Sequence, residues 1–162
     1  MALNKKMKRM IRYISIVLGI SIVLGLAACK KGEQQGEQIP NTPVSVQVNL
    51  DLPAYFDLTI FGNWVYFPDG YDGLILYHSF DGEYYAFDRA CSYEPFKDCS
   101  QLWMDSTTRV HMNCGSYEDG IFTKCCDSRF EIPSGFPVEG PAKQAMKQYF
   151  VNRNGNTLYI SN

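Results

Sequence analysis

T-K-C-C-D-S-R-F-E-I-P-S-G-F-P-V-E-G-P-A, residues 123–142, places two adjacent cysteines before a polar turn, an aromatic strand residue and a Gly-Pro-rich return. Neighbouring residues of an extended chain point to opposite faces, so Cys125 and Cys126 look for two different partners. A bond between the two would close a small, strained ring, so they belong to different bonds or one of them is a spare thiol. A long-range tie is implied, and this stretch must lie where distant parts of the chain return to one another.

Outward from it, the chain reads as short strands and turns. Residues 148–152 and 157–160 bracket Asn154-Gly155, and residues 108–113 and 121–124 bracket Glu118-Asp119-Gly120. Residues 74–80 and 83–88 flank Asp81-Gly82, the strongest hairpin signal in the chain, because both central positions of the tight turn call for positive φ. Before them, Pro68-Asp69-Gly70-Tyr71-Asp72-Gly73 concentrates turn formers, and the apolar runs 55–61 and 64–67 are separated by Gly62-Asn63. Val44, Val46, Val48 and Leu50 alternate with polar residues, the period of a half-buried strand. Strands this short, with turns this frequent, predict an all-β antiparallel sandwich or small barrel. Ala142, Ala145, Met146 and Tyr149 follow helical spacing behind Pro141, but the segment is too short to decide its own state.

The N-terminus has a different character. Lys5, Lys6, Lys8, Arg9 and Arg12 precede an apolar run over residues 14–26, with no acid among residues 1–28. A basic segment followed by a short apolar one reads as an export signal and not as a spanning helix. It ends in Leu26-Ala27-Ala28-Cys29, which resembles the lipobox of bacterial lipoproteins, whose cysteine becomes the acylated first residue. The expectation is a signal peptide over 1–28, a tether over 29–43 rich in Gln, Gly and Glu, and one domain over 44–162. The acyl group on Cys29 would make the lipid bilayer a partner, with the protein anchored in the cell envelope. Lys30 stands where many inner-membrane lipoproteins carry aspartate, so an outer-membrane destination is expected.

Cleavage would remove five of the 15 Lys and Arg and none of the 17 Asp and Glu, leaving 10 − 17 = −7. Phosphate backbones call for clustered cations, so nucleic acid is excluded as a partner. No nucleophile with an adjacent base, paired-carboxylate site or phosphate-binding glycine loop stands out, and an enzyme is not indicated.

Six cysteines include Cys29, leaving Cys91, Cys99, Cys114, Cys125 and Cys126. An exported domain keeps disulfides, so five cysteines predict two bonds and one spare thiol. A bond from Cys91 or Cys99 to the Cys125-Cys126 pair would close a loop of roughly 25 to 35 residues, worth about 3 to 4 kcal/mol. A zinc set built from His111, Cys114 and the other cysteines lacks both the C-x-x-C and the H-x-x-x-H form, and no metal is favoured.

Four segments together carry a family resemblance: Y-Y-A-F-D-R-A-C-S-Y-E-P (84–95), K-C-C-D-S-R-F-E (124–131), G-P-A-K-Q-A-M-K-Q-Y-F-V (140–151) and G-N-T-L-Y-I (155–160). In order and separation they resemble the Rieske iron-sulfur domain, whose two loops A-F-D-x-x-C-x-H and C-P-x-H-G-S-x-F-D each supply one Cys and one His to a [2Fe-2S] cluster. The resemblance implies a compact antiparallel β fold with a small cluster-bearing subdomain, and a covering loop at Gly140, Pro141 and Ala142. Carried across, the four ligand positions fall on Cys91, Tyr93, Thr123 and Cys126, where the family has Cys, His, Cys and His. A phenol and an aliphatic alcohol are poor iron donors, so the resemblance implies a member without its cluster. It also implies that Cys91 bonds Cys126 and Cys99 bonds Cys125, with Cys114 left over.

The favoured reading is therefore a disulfide-stapled, cluster-free module with a structural or interaction role, whose protein partner would lie in the envelope. The alternative is a [2Fe-2S] electron-transfer protein with unusual ligands, such as Cys91, Cys99, Cys114 and Cys126. A thiol-disulfide oxidoreductase is the weakest reading, since Cys125-Cys126 lacks the C-x-x-C spacing.

Overall fold

The structure is a computed structural model and describes residues 38–162; the expected signal peptide, Cys29 and most of the expected tether lie outside the described residues. Ten strands and one 3₁₀ segment, η1 (Pro53–Thr59), make up the fold. The strands are β1 (Ser45–Asn49), β2 (Trp64–Phe67), β3 (Leu74–His78), β4 (Tyr84–Asp88), β5 (Gln101–Met104), β6 (His111–Glu118), β7 (Ile121–Glu131), β8 (Pro137–Glu139), β9 (Gln148–Asn154) and β10 (Thr157–Ser161). They form a six-stranded sheet, β1-β10-β9-β4-β3-β2, and a four-stranded sheet, β5-β6-β7-β8, with every pairing antiparallel. The fold is all-β, as the frequent turns predict. Among the described residues no helix is long and apolar enough to cross a membrane.

Strand β3, L-I-L-Y-H, is buried along its whole length because both its faces are covered. Its odd-numbered members Ile75 and Tyr77 join Phe87 in a cluster with Leu102, Met104, Met112 and Phe130 of the second sheet. Leu74 and Leu76 face the other way, into a cluster with Val48, Leu58, Tyr149, Leu158 and Ile160. A strand buried on both sides reads as a continuous apolar run, and this one does.

Three local readings change. Residues 55–61 lie largely in η1 and form no strand. Pro53 opens that segment with its fixed φ and missing N–H, and Asp57 and Thr59 interrupt the apolar pattern. At Asp81-Gly82 only Gly82 has positive φ, and the hairpin closes through a wider loop in which Ser79 N–H donates to Glu83 O. The two-residue turn with both φ positive is instead Asp119-Gly120, joining β6 to β7. The segment 141–147 is irregular, and its helical spacing reflects single contacts of Ala142 and Met146 with the core. At the start of the domain, Pro40 O accepts from Lys147 Nζ and Thr42 O from Asn162 Nδ2, so residues placed in the tether are fastened to the domain.

The joint between the sheets is built on Asp88 and Arg89. Asp88 is fully buried and accepts hydrogen bonds from the backbone N–H groups of Tyr71, Asp72 and Ala90 and from the Tyr149 hydroxyl. Arg89 lies between the rings of Tyr66 and Trp103, 4.0 Å from each centroid, and its Nε donates to Leu102 O. Buried ions persist only when their lone pairs and protons are satisfied in this way. Together they fix the chain that leaves β4 and carries Cys91.

Candidate functional site

The cysteines converge because of one irregularity in the second sheet. Asn113 pairs with Arg129, whereas Gly115 pairs with Lys124. One residue of β6, Cys114, therefore faces four of β7, residues 125–128, and the ladder sum falls from 242 to 239. Three extra residues bow β7 out of register and carry Cys125 and Cys126 off the sheet. Gly115 permits the close approach: a Cβ there would collide with the Thr123 carbonyl and the Phe122 ring. Opposite the bow runs the loop after β4, held by Cys91 N–H to Ser100 O at 2.9 Å.

Cys125 turns one way and forms a disulfide with Cys99 across 26 residues, the pairing the resemblance implies. Cys126 turns the other way, to Cys91, with 3.9 Å between the sulfurs. Here the structure departs from expectation. Cys91 and Cys126 are free thiols with no bond between them, and Cys114 shares the same space. The sulfurs of Cys91, Cys114 and Cys126 all lie within 4.8 Å of one another. Cys91 and Cys114 are buried and Cys126 is half-buried at the rim. The sequence reading leaves Cys114 over; the clue it passes by is the glycine next to it, which marks close strand approach.

The Cys114 thiol beside it holds the Cys91 thiol down to about 6, with help from the Tyr93 N–H, Cys126 and Ser100 and against the effect of burial. Cys114 moves the opposite way: it shares its proton with Cys91 and is buried, and both push it far up. The two opposite directions are the two ends of one hydrogen bond between the Cys91 and Cys114 sulfurs.

The other positions named by the resemblance divide. Tyr93 is half-buried and packs against the same cluster as Cys126. Thr123 is exposed on β7 and pairs with Ser116, away from the cysteines. Gly140, Pro141 and Ala142 lie directly on the bow: a Cβ on Gly140 would collide with the Asp127 carbonyl, and Ala142 N–H donates to Ser128 Oγ. Ser92 Oγ donates to Gln144 O at 2.7 Å, tying the first loop to the third.

Both histidines are engaged elsewhere. His78 stacks on Tyr84, with centroids 4.2 Å apart, and sits against Phe61. His111 Nδ1 lies 3.2 Å from Thr108 Oγ1 and 3.1 Å from Arg129 Nη2, so H-x-x-C does not converge into a zinc site. Among the described residues no histidine or carboxylate joins the three sulfurs. A Rieske cluster takes two thiolates on one iron and two imidazoles on the other. Three thiols without an imidazole do not fit it.

No protein-family model matches the chain, and no curated protein matches it. Seven chains of solved structures do. One is the ferredoxin of carbazole 1,9a-dioxygenase from Nocardioides aromaticivorans IC177, 18% identical over 74% of this chain and 97% of that one, with a TM-score of 0.45.

Proposed function

We infer that this chain is a lipid-anchored envelope protein whose β domain follows the Rieske plan without its iron-sulfur cluster and serves a structural or interaction role. The observation that carries the reading is the donor set. At the meeting point of the loops stand three cysteines, while the two histidines are occupied at 78 and 111 and Thr123 faces solvent. The loop arrangement itself supports the Rieske plan, since the first loop, the bow of β7 and the Gly140–Ala142 loop are tied to one another. The Cys99–Cys125 disulfide suits an oxidising compartment, which agrees with the export signal. An interaction role is supported by Phe61 and Phe80, both exposed and close together around Gly62 and Gly82, with exposed Phe56 and Ile60 on and beside η1.

The test is to express the full chain in an exporting bacterial host and measure two properties of the membrane-bound product. Mass spectrometry is expected to find an acylated Cys29 as the first residue, and metal analysis to find no stoichiometric iron. An unprocessed or unacylated N-terminus would remove the anchor. About two iron atoms per chain, with visible thiolate-to-iron absorption, would establish the electron-transfer alternative.

A further inference from the structure

We propose that Cys91, Cys114 and Cys126 form a three-thiolate site for one soft monovalent cation, copper(I). The inference goes beyond the reading above and rests only on that reading's exclusion of the iron-sulfur cluster.

The spacing of the sulfurs is the first support. Metal–sulfur bonds of about 2.3 Å put the corners of a planar three-sulfur site about 4.0 Å apart, and those of a tetrahedral one slightly closer. The Cys91–Cys126 edge is 3.9 Å, and the longest edge, within 4.8 Å, closes by a rotamer adjustment smaller than 1 Å.

Rigidity is the second. The three ligands come from three elements, each held by contacts the ion would not disturb. Cys91 is fixed by its backbone bond to Ser100, Cys114 by the ladder of β6, and Cys126 by the Cys99–Cys125 disulfide next to it. The Ser100 hydroxyl, 3.8 Å from Cys114 Sγ, supplies an outer hydrogen bond to a ligand sulfur.

The identity of the ion follows from number, softness and surroundings. Thiolates select soft ions, copper(I) and zinc above all. Zinc completes a tetrahedron, and among the described residues no fourth His, Cys, Asp or Glu is at hand. Copper(I) is satisfied by three sulfurs in an apolar setting. Here Leu102, Met104, Met112 and Phe130 belong to the same cluster, while half-buried Cys126 leaves one side for entry. Binding converts the thiols to thiolates that share lone pairs with the ion; their protons pass to solvent, and no oxidation state changes.

The experiment uses the full chain in detergent, purified and loaded anaerobically with the Cys99–Cys125 disulfide intact, copper(I) being supplied in competition with a chromophoric copper(I) chelator. One copper per chain is expected to be retained. Cys91→Ser, Cys114→Ser and Cys126→Ser should each weaken retention by about tenfold or more, while Thr123→Ala, at an exposed position of β7, retains the ion. Retention by no form, unchanged retention in Cys114→Ser, or tighter retention of zinc would each overturn the proposal. X-ray absorption on the unaltered loaded protein guards against misfolded variants: three sulfurs at about 2.3 Å support the site and two overturn it. Absence of both iron and copper would end this proposal and leave the cluster-free reading in place. Stoichiometric iron would end that reading.

Discussion

At the scale of single residues, buried charge decides more of this fold than buried sulfur. Asp88 satisfies three backbone N–H groups and the Tyr149 hydroxyl, and burial, with that carboxylate beside it, keeps the Tyr149 phenol protonated far above its usual range. Asp88→Ala would strand all these donors at once, and is expected to destabilise the domain by about 3 kcal/mol or more in urea titration. His78 supplies a pH dependence. Burial lowers its pKa below the ordinary histidine value of about 6.5, and its Nδ1 has no partner among the described residues. The unfolded chain takes up the proton first as pH falls, so His78 contributes stability above about pH 6.5 that declines as pH drops toward the lower folded value. His78→Phe, which keeps the stack on Tyr84, should flatten the stability profile between about pH 6.5 and 5. An unchanged slope would assign it to other groups.

At the scale of elements, the bow in β7 does the positioning, and two substitutions test it separately. Replacing Cys99 and Cys125 by serine opens a 26-residue loop and is expected to cost about 3 to 4 kcal/mol of stability. Gly140→Ala acts from the other side. Its φ of 85° and the Asp127 carbonyl against it leave no room for a methyl, so the covering loop should lift, with a loss of about 2 kcal/mol and faster alkylation of Cys126. Much at this scale was legible beforehand: β3, β4, β9 and β10 follow from apolar runs and turn residues that agree locally. The bow was not. A register shift appears only when two strands are laid side by side, and no period along one strand announces it. For the same reason Cys125 could be matched to Cys99 through a resemblance, whereas Cys114, which lies outside the four resembling segments, read as a spare thiol.

For the whole molecule, the two sheets separate the tasks. The six-stranded sheet encloses its own core with η1, and the four-stranded sheet carries Cys114 on β6 and Cys125 and Cys126 on β7. The all-β architecture was readable from turn spacing, but the division of the core between two faces of β3 was not, since a fully apolar strand does not say which neighbours it serves. The proposed attachment to the membrane would rest on residues 1–29. Cys29→Ser is expected to leave the leader uncleaved and remove the acylated species in metabolic palmitate labelling, with the domain's melting temperature unchanged. The organisation of the site depends instead on how five cysteines divide: Cys99 with Cys125, and Cys91, Cys114 and Cys126 as one set. The most direct test is non-reducing peptide mapping of the protein after alkylation in denaturant. A Cys99–Cys125 cross-link in full yield, with Cys91, Cys114 and Cys126 all alkylated, is the predicted map; any bond joining Cys99 or Cys125 to one of the other three, or a Cys91–Cys126 bond, would contradict it.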